Sequence, residues 1–221
     1  MFRPQAVFRR LDEVKYWSWW PCLLQISLLS ICSAYYFSQV DWAWYQQEQL
    51  LPQLQGLSPQ EQVAALDFSP PSMFIWSSLF GALVGLPIMM AIYAFYLSKL
   101  TQLDEENIHS FGDWYGLNWW CTLPNAVPML LGLLIITIAP AELDPLAALA
   151  PLSFSNLFSW APNHAWYQWG SNLSLVTPCI AWLQYQGVRS WTQLNTATTG
   201  LIVALPYAVI YGGWALLITL F

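Results

Sequence analysis

The sequence predicts an all-α polytopic membrane protein with five transmembrane helices, and three observations carry that prediction. Five stretches hold no charged residue: 16–40, 68–98, 115–141, 145–188 and 190–221. Each contains or exceeds the roughly 20 mostly apolar residues that cross a bilayer. The composition is 57% hydrophobic and only 8% charged, whereas charged residues make up roughly a quarter of an ordinary soluble domain. Spans placed near 19–37, 73–98, 115–139, 170–187 and 199–221 put all six basic residues on one side. Arg3, Arg9, Arg10 and Lys15 precede the first span, Lys99 follows the second and Arg189 the fourth. By the positive-inside rule the N-terminus is cytoplasmic and the C-terminus, after an odd number of crossings, is periplasmic. In lipid every backbone polar group must be paired within a helix, so residues 1–221 read as a single membrane domain.

The elements follow in order. Residues 4–15 form a short helix with Val7, Phe8 and Leu11 on one face, suited to lie among lipid head groups. Trp17, Trp19 and Trp20 mark the cytoplasmic interface of span one, and Tyr35, Tyr36, Trp42, Trp44 and Tyr45 form the opposite belt. Ser58-Pro59-Gln60-Glu61 spells a serine cap, a first-turn proline and a capping glutamate, so a helix runs from Pro59 to Asp67. Ser69-Pro70-Pro71 then opens span two. There Gly81 and Gly85 form a small-residue face for helix contact, and Pro87 bends the helix. Span three opens with Tyr115, Gly116 and Asn118 and carries Pro124 and Pro128, which free backbone carbonyls in mid-membrane. Asn118, Thr122 and Asn125 are spaced to satisfy them. Such a break either lines a site, as in transporters, or is a kinked packing helix; the absence of an ionisable residue beside it favours packing. The apolar segment 140–169 predicts short helices in or dipping below the interface, broken at Pro145, Pro151 and Pro162. Span four is the most polar, with Asn172, Thr177, Gln184 and Gln186, so it faces other helices. Span five holds Pro206, Tyr207, Tyr211, Gly212 and Gly213.

Charge and motifs exclude several functions. The net charge of −6 and the lack of a basic stripe argue against nucleic-acid binding. Cys22, Cys32, Cys121 and Cys179 fall inside spans without metal-ligand spacing and read as buried apolar fillers. Asp104, Glu105, Glu106, His109 and Asp113 are chemically able to gather a divalent cation, but an acidic run of this kind reads first as a solvated turn. His109 and His164 sit in loops on opposite sides. No span holds an ionisable residue of the kind pumps and intramembrane enzymes keep, and there is no phosphate-binding loop or nucleophile elbow. The expectation is a non-enzyme with no catalytic residue, metal or cofactor.

The run Asp113-Trp-Tyr-Gly-Leu-Asn-Trp-Trp-Cys-Thr-Leu-Pro124 resembles a bacterial member of the Yip1 domain family. Pro4-Gln-Ala-Val-Phe8, Leu57-Ser-Pro-Gln-Glu61, Asp104-Glu-Glu-Asn107, Gly187-Val-Arg-Ser-Trp-Thr192 and Pro206-Tyr-Ala-Val-Ile210 agree in order. The resemblance implies a five-span fold with a cytoplasmic N-terminus in the inner membrane. Eukaryotic relatives are implied to bind small GTPases and coat components and to oligomerise; the long polar N-terminal region they use has no counterpart here. The candidate functional cluster is Asp113, Tyr115, Gly116, Asn118, Thr122, Pro124, Asn125 and Pro128, with Gly81 and Gly85 for helix contact. Two functions remain in play. The first is a scaffold or assembly factor that contacts itself or another membrane protein, as a homo-oligomer or complex subunit. The second is a small-molecule or lipid transporter using the kinked third span with Tyr207 or Tyr211.

Overall fold

The computed structural model describes residues 4–14 and 19–220. Arg3, Lys15, Trp17 and Phe221, placed above at the cytoplasmic side, the first interface and the end of span five, lie outside them. Among the described residues the structure is all helical, apart from an isolated antiparallel bridge between Ser153 and Ser174. Among the described residues four continuous helical segments are long and apolar enough to cross a membrane: Trp19–Gln39, Pro71–Leu103, Phe111–Ile138 and Thr196–Leu220.

Helix α1 (Pro4–Glu13) lays Phe8 into the core, while Arg9 and Arg10 stay exposed. Helix α2 (Trp19–Gln39) buries Gln25, Leu28, Cys32 and Tyr36, a three-and-four spacing that defines one packed face. Trp19 and Trp20 are exposed at its start. After the short α3 (Trp42–Tyr45), α4 (Pro59–Asp67) begins at the anticipated cap, with Ser58 and Glu61 closing a capping box. Helices α5 (Pro71–Phe80) and α6 (Leu86–Leu100) are joined by a widened turn at Gly81–Gly85, where the Leu86 N–H reaches back to the Gly81 carbonyl. Pro87 has no N–H to offer, so the helix changes register just before it.

Span three is two helices, α7 (Phe111–Cys121) and α8 (Ala126–Ile138), joined by the tight turn Leu123–Asn125. Pro128 does not break a mid-membrane hydrogen bond as the sequence suggests. It occupies the first turn of α8, where the N–H has no partner within its own helix anyway.

The segment expected to hold short helices in or dipping below the interface is built from α9 (Pro145–Leu149), α10 (Phe154–Leu157) and α11 (Tyr167–Asn172). Pro145 starts α9 instead of breaking a helix, with Asp144 accepting from the Leu146 N–H at 2.7 Å. This segment dips into the bundle: the Ala148 carbonyl rests on Gly132 of α8 so closely that no Cβ fits there.

Helix α12 (Thr177–Trp191) corrects the fourth expected span. Residues 170–187 are not one helix, because backbone around Leu173 leaves α11 to pair with the chain near Leu152. Phe154 N donates to Leu173 O at 2.9 Å, and Leu175 N donates to Leu152 O at 3.0 Å. The 15 residues of α12 extend roughly 22 Å at 1.5 Å per residue, short of the ~30 Å hydrocarbon core. Helices α13 (Thr196–Tyr207) and α14 (Gly213–Leu220) flank a second widened turn, Ala208–Gly212, this one just after a proline, Pro206.

Packing divides the bundle into two ends. At one, the Trp191 indole donates to the Phe8 carbonyl at 3.0 Å, His109 meets Asp12 at 3.3 Å, and Gln193 N donates to Asp104 at 2.7 Å. These contacts bring α1, the α6–α7 turn and the α12–α13 turn together. At the other, Tyr36 donates to Leu143 O at 2.8 Å, and Tyr36, Phe37, Tyr45 and Phe74 pack edge to face or tilted. Cys32 and Cys121 are buried fillers, but Cys179 is exposed and Cys22 only partly covered, because both lie on outer helix faces.

Candidate functional site

The turn at Leu123–Asn125 lets the third span part from α12 and α13. The gap is a cleft of about 440 Å³ whose walls include Asn118, Thr122, Asn125, Gln184, Tyr207 and Tyr211. Met89, Met90 and Tyr93 of α6 close one side and Trp214 the other. None of its lining side chains is a carboxylate, an amine, a guanidinium or an imidazole.

A continuous hydrogen-bond chain crosses the cleft wall. Tyr207 donates to Gln184 Oε1 at 2.7 Å and Tyr93 donates to the same oxygen at 3.1 Å. Gln184 Nε2 donates to Asn118 Oδ1 at 2.9 Å, and Asn118 Nδ2 donates to the Met90 sulfur at 3.0 Å. Asn118 and Gln184 are almost fully buried, which makes their mutual pairing obligatory: an unpaired amide there costs the full desolvation penalty. Among the described residues Asn125 has no side-chain hydrogen-bond partner, and its amide lines the cleft wall.

The freed carbonyls near the break are satisfied differently from the sequence expectation. Thr122 Oγ1 donates at 3.1 Å to Asn118 O and Trp119 O. Asn118 and Asn125 take no part in this. Their place is taken by Gln25 of α2, whose Nε2 lies 3.2 Å from both Trp119 O and Thr122 Oγ1. Sequence reasoning missed Gln25, Met90 and Tyr93. A lone glutamine in an apolar run was the one available signal, since a buried amide in a span must find a partner.

The other expected residues lie elsewhere. Asp113 caps α7, accepting from the Ser110 N–H at 2.8 Å and its hydroxyl at 2.7 Å. With Gly116 it lines a small separate hollow near α1. Tyr115 stacks on Phe111 and packs edge-on against Trp119. Pro124 faces an apolar groove on the opposite side of the third span, and Pro128 lines none of these cavities. A Cβ at Gly81 or Gly85 would meet nothing within 4 Å, while Ala82 between them is buried. The acidic turn does not converge either, since Asp104 binds Gln193 N, His109 meets Asp12 and Asp113 binds Ser110. No group of three metal-ligating side chains occurs among the described residues.

Long apolar helices around an uncharged, hydrogen-bonded cleft define a multi-pass integral membrane protein of the helical-bundle class. The Yip1 domain family matches residues 1–217. The chain therefore belongs to the Yip1 domain family, as the motif at residues 113–124 implies. No curated protein and no solved structure matches it.

Proposed function

We propose that this Yip1-domain protein is a non-enzymatic inner-membrane protein that binds a small uncharged, hydrogen-bonding molecule in the cleft beside α7, α12 and α13 and passes it across the bilayer. The single observation behind this reading is a polar cleft at membrane depth without a charged wall. Charge in lipid is costly, so a neutral solute is the one such walls accept without a counter-ion. Asn125 offers it a free amide, while the Asn118–Gln184 pair keeps the walls fixed.

The topology that goes with it has five crossings, with α11 and α12 together serving as the fourth and the N-terminus in the cytoplasm. Grouping of Arg9, Arg10, Lys99 and Arg189 toward the α1 end supports that orientation. Labelling of Lys99 from outside intact cells would overturn it.

Flux into liposomes carrying the purified protein tests the cleft. Asn125→Leu removes an unpaired amide, so it abolishes flux of the transported neutral solute while the melting temperature stays unchanged. Equal flux in both proteins sinks the reading.

A second reading, assembly through helix contacts, has its own support. Gly81 and Gly85 leave bare backbone facing outward, the surface a helix of a second chain needs for close approach. Native mass spectrometry in mild detergent decides it: an oligomer that Gly81→Leu dissociates supports it, and a lone monomer under all gentle conditions refutes it.

A further inference from the structure

The hydroxyl groups in the cleft wall have nearly all committed their hydrogens to the protein. Tyr93 and Tyr207 both donate to Gln184 Oε1, at 3.1 and 2.7 Å. Tyr211 donates to the Asn172 carbonyl at 2.9 Å and Ser174 to the Leu152 carbonyl at 3.1 Å. A hydroxyl has one hydrogen, so one that donates inward offers only lone pairs to anything in the cleft. The sense of the chain is fixed at its far end. The Met90 sulfur accepts and has nothing to donate, so the Asn118 amide nitrogen turns toward it at 3.0 Å. Asn118 Oδ1 is then left to accept from Gln184 Nε2 at 2.9 Å, and Gln184 Oε1 to accept from both tyrosines. The wall around Gln184 is therefore a set of acceptor oxygens. Asn125, on the same cleft, has no side-chain partner among the described residues and supplies an amide N–H.

We propose that the cleft selects a neutral carboxamide with at least one N–H, which donates to the tyrosine oxygens while the ligand carbonyl accepts from Asn125. A ketone or an ester brings only acceptors, and these meet the tyrosine lone pairs. A carboxylate adds a charge to that mismatch in a wall without a counter-ion. An ammonium suits the oxygens but leaves Asn125 without an acceptor and its own charge unpaired. The remainder of the ligand is apolar and flat. Met89, Met90 and Trp214 line the cleft, and the Tyr207 and Tyr211 rings lie 12° from parallel with centroids 6.4 Å apart. The proposal rests on the cleft reading above for its site but not on passage across the bilayer, so binding and flux are measured separately.

The full chain in mild detergent is melted with N-methylbenzamide, with methyl benzoate, which differs from it by one oxygen in place of N–H, and with benzoate, at equal free concentrations. A ligand that binds only the folded state raises the midpoint as its concentration rises. A given rise is expected at about threefold to tenfold lower concentration of the amide than of the ester, the range one hydrogen bond supplies, and benzoate gives none. Tyr207→Phe keeps the ring, removes one acceptor oxygen and narrows the amide preference to within about twofold, without weakening the ester. Tyr211→Phe narrows it in the same way should the first variant not fold. Equal rises with amide and ester, no rise with either, or an undiminished amide preference in both folded variants overturns the proposal. Flux of N-methylbenzamide above that of protein-free liposomes then reports on passage alone: an amide that binds and does not cross sinks transport and leaves the amide site standing.

Discussion

The Tyr207 hydroxyl reaches Gln184 Oε1 at 2.7 Å, linking α13, next to its proline, to the middle of α12. Gln184 is the hub of the cleft wall, since Tyr93 and Asn118 also bond to it. Helix α12 is short for a membrane-crossing helix, and this junction ties its middle to α6, α7 and α13.

Removing the junction and removing one arm of it therefore differ. Tyr207→Phe deletes one hydrogen bond and leaves Gln184 still paired with Tyr93, at a cost of about 1 kcal/mol. Gln184→Leu leaves two tyrosine hydroxyls and the Asn118 carbonyl without their partner, and costs about 3 kcal/mol. Unfolding midpoints in one detergent, compared across the three proteins, check the order. Equal stability of the two variants contradicts the hub.

Glycines in this bundle divide by what surrounds them. A Cβ on Gly187 would come within 2.9 Å of a Leu117 methyl, whereas one on Gly81 meets nothing. Gly187→Ala separates α12 from α7 and destabilises by about 1–3 kcal/mol, the usual range for overpacking. Gly81→Ala leaves monomer stability unchanged or slightly raised, because alanine favours helix. Thermal melts of the two alanine variants side by side are the measurement.

The capping box of α4 carries a pH signature. Glu61 accepts from the Ser58 hydroxyl at 2.7 Å and its N–H at 2.9 Å, and these bonds hold its carboxyl below the ordinary 4.5. A depressed folded-state value means the stabilisation is complete above pH 4.5 and is lost as pH falls through the lowered value. Ser58→Ala returns the Glu61 titration toward its ordinary position, which carbon-detected NMR of the side chain resolves. An unmoved titration would show that the cap does not set it.

What the residues announce in advance depends on how far their partners lie. Ser58-Pro59-x-Glu61 declares its own helix because both halves of the box are local, and α4 forms there. Asn118, Thr122 and Asn125 could be grouped because the spacing of one helix places them on the same side. Gln25 could be noticed as polar, yet its partner Thr122 is 97 positions away, and no local pattern encodes such a pairing. The break at Leu173 is hidden for the same reason. It is created by backbone pairing with Leu152 and Phe154, and the intervening residues, read alone, suit an uninterrupted span. Residues sharing the third span also separate: Thr122 and Asn125 turn to the cleft while Leu123 and Pro124 turn to the groove. That division follows ordinary helical spacing, which puts positions 122 and 125 on one side and 123 and 124 on the other.

The seating of the Ala148 carbonyl on Gly132 orders how the chain is made. A five-residue helix has too little apolar length to leave the translocation machinery for lipid by itself, so α9 finds its place only once α8 already stands in the bilayer as a wall. A bulky residue at 132 would therefore take from α9 the wall it rests on.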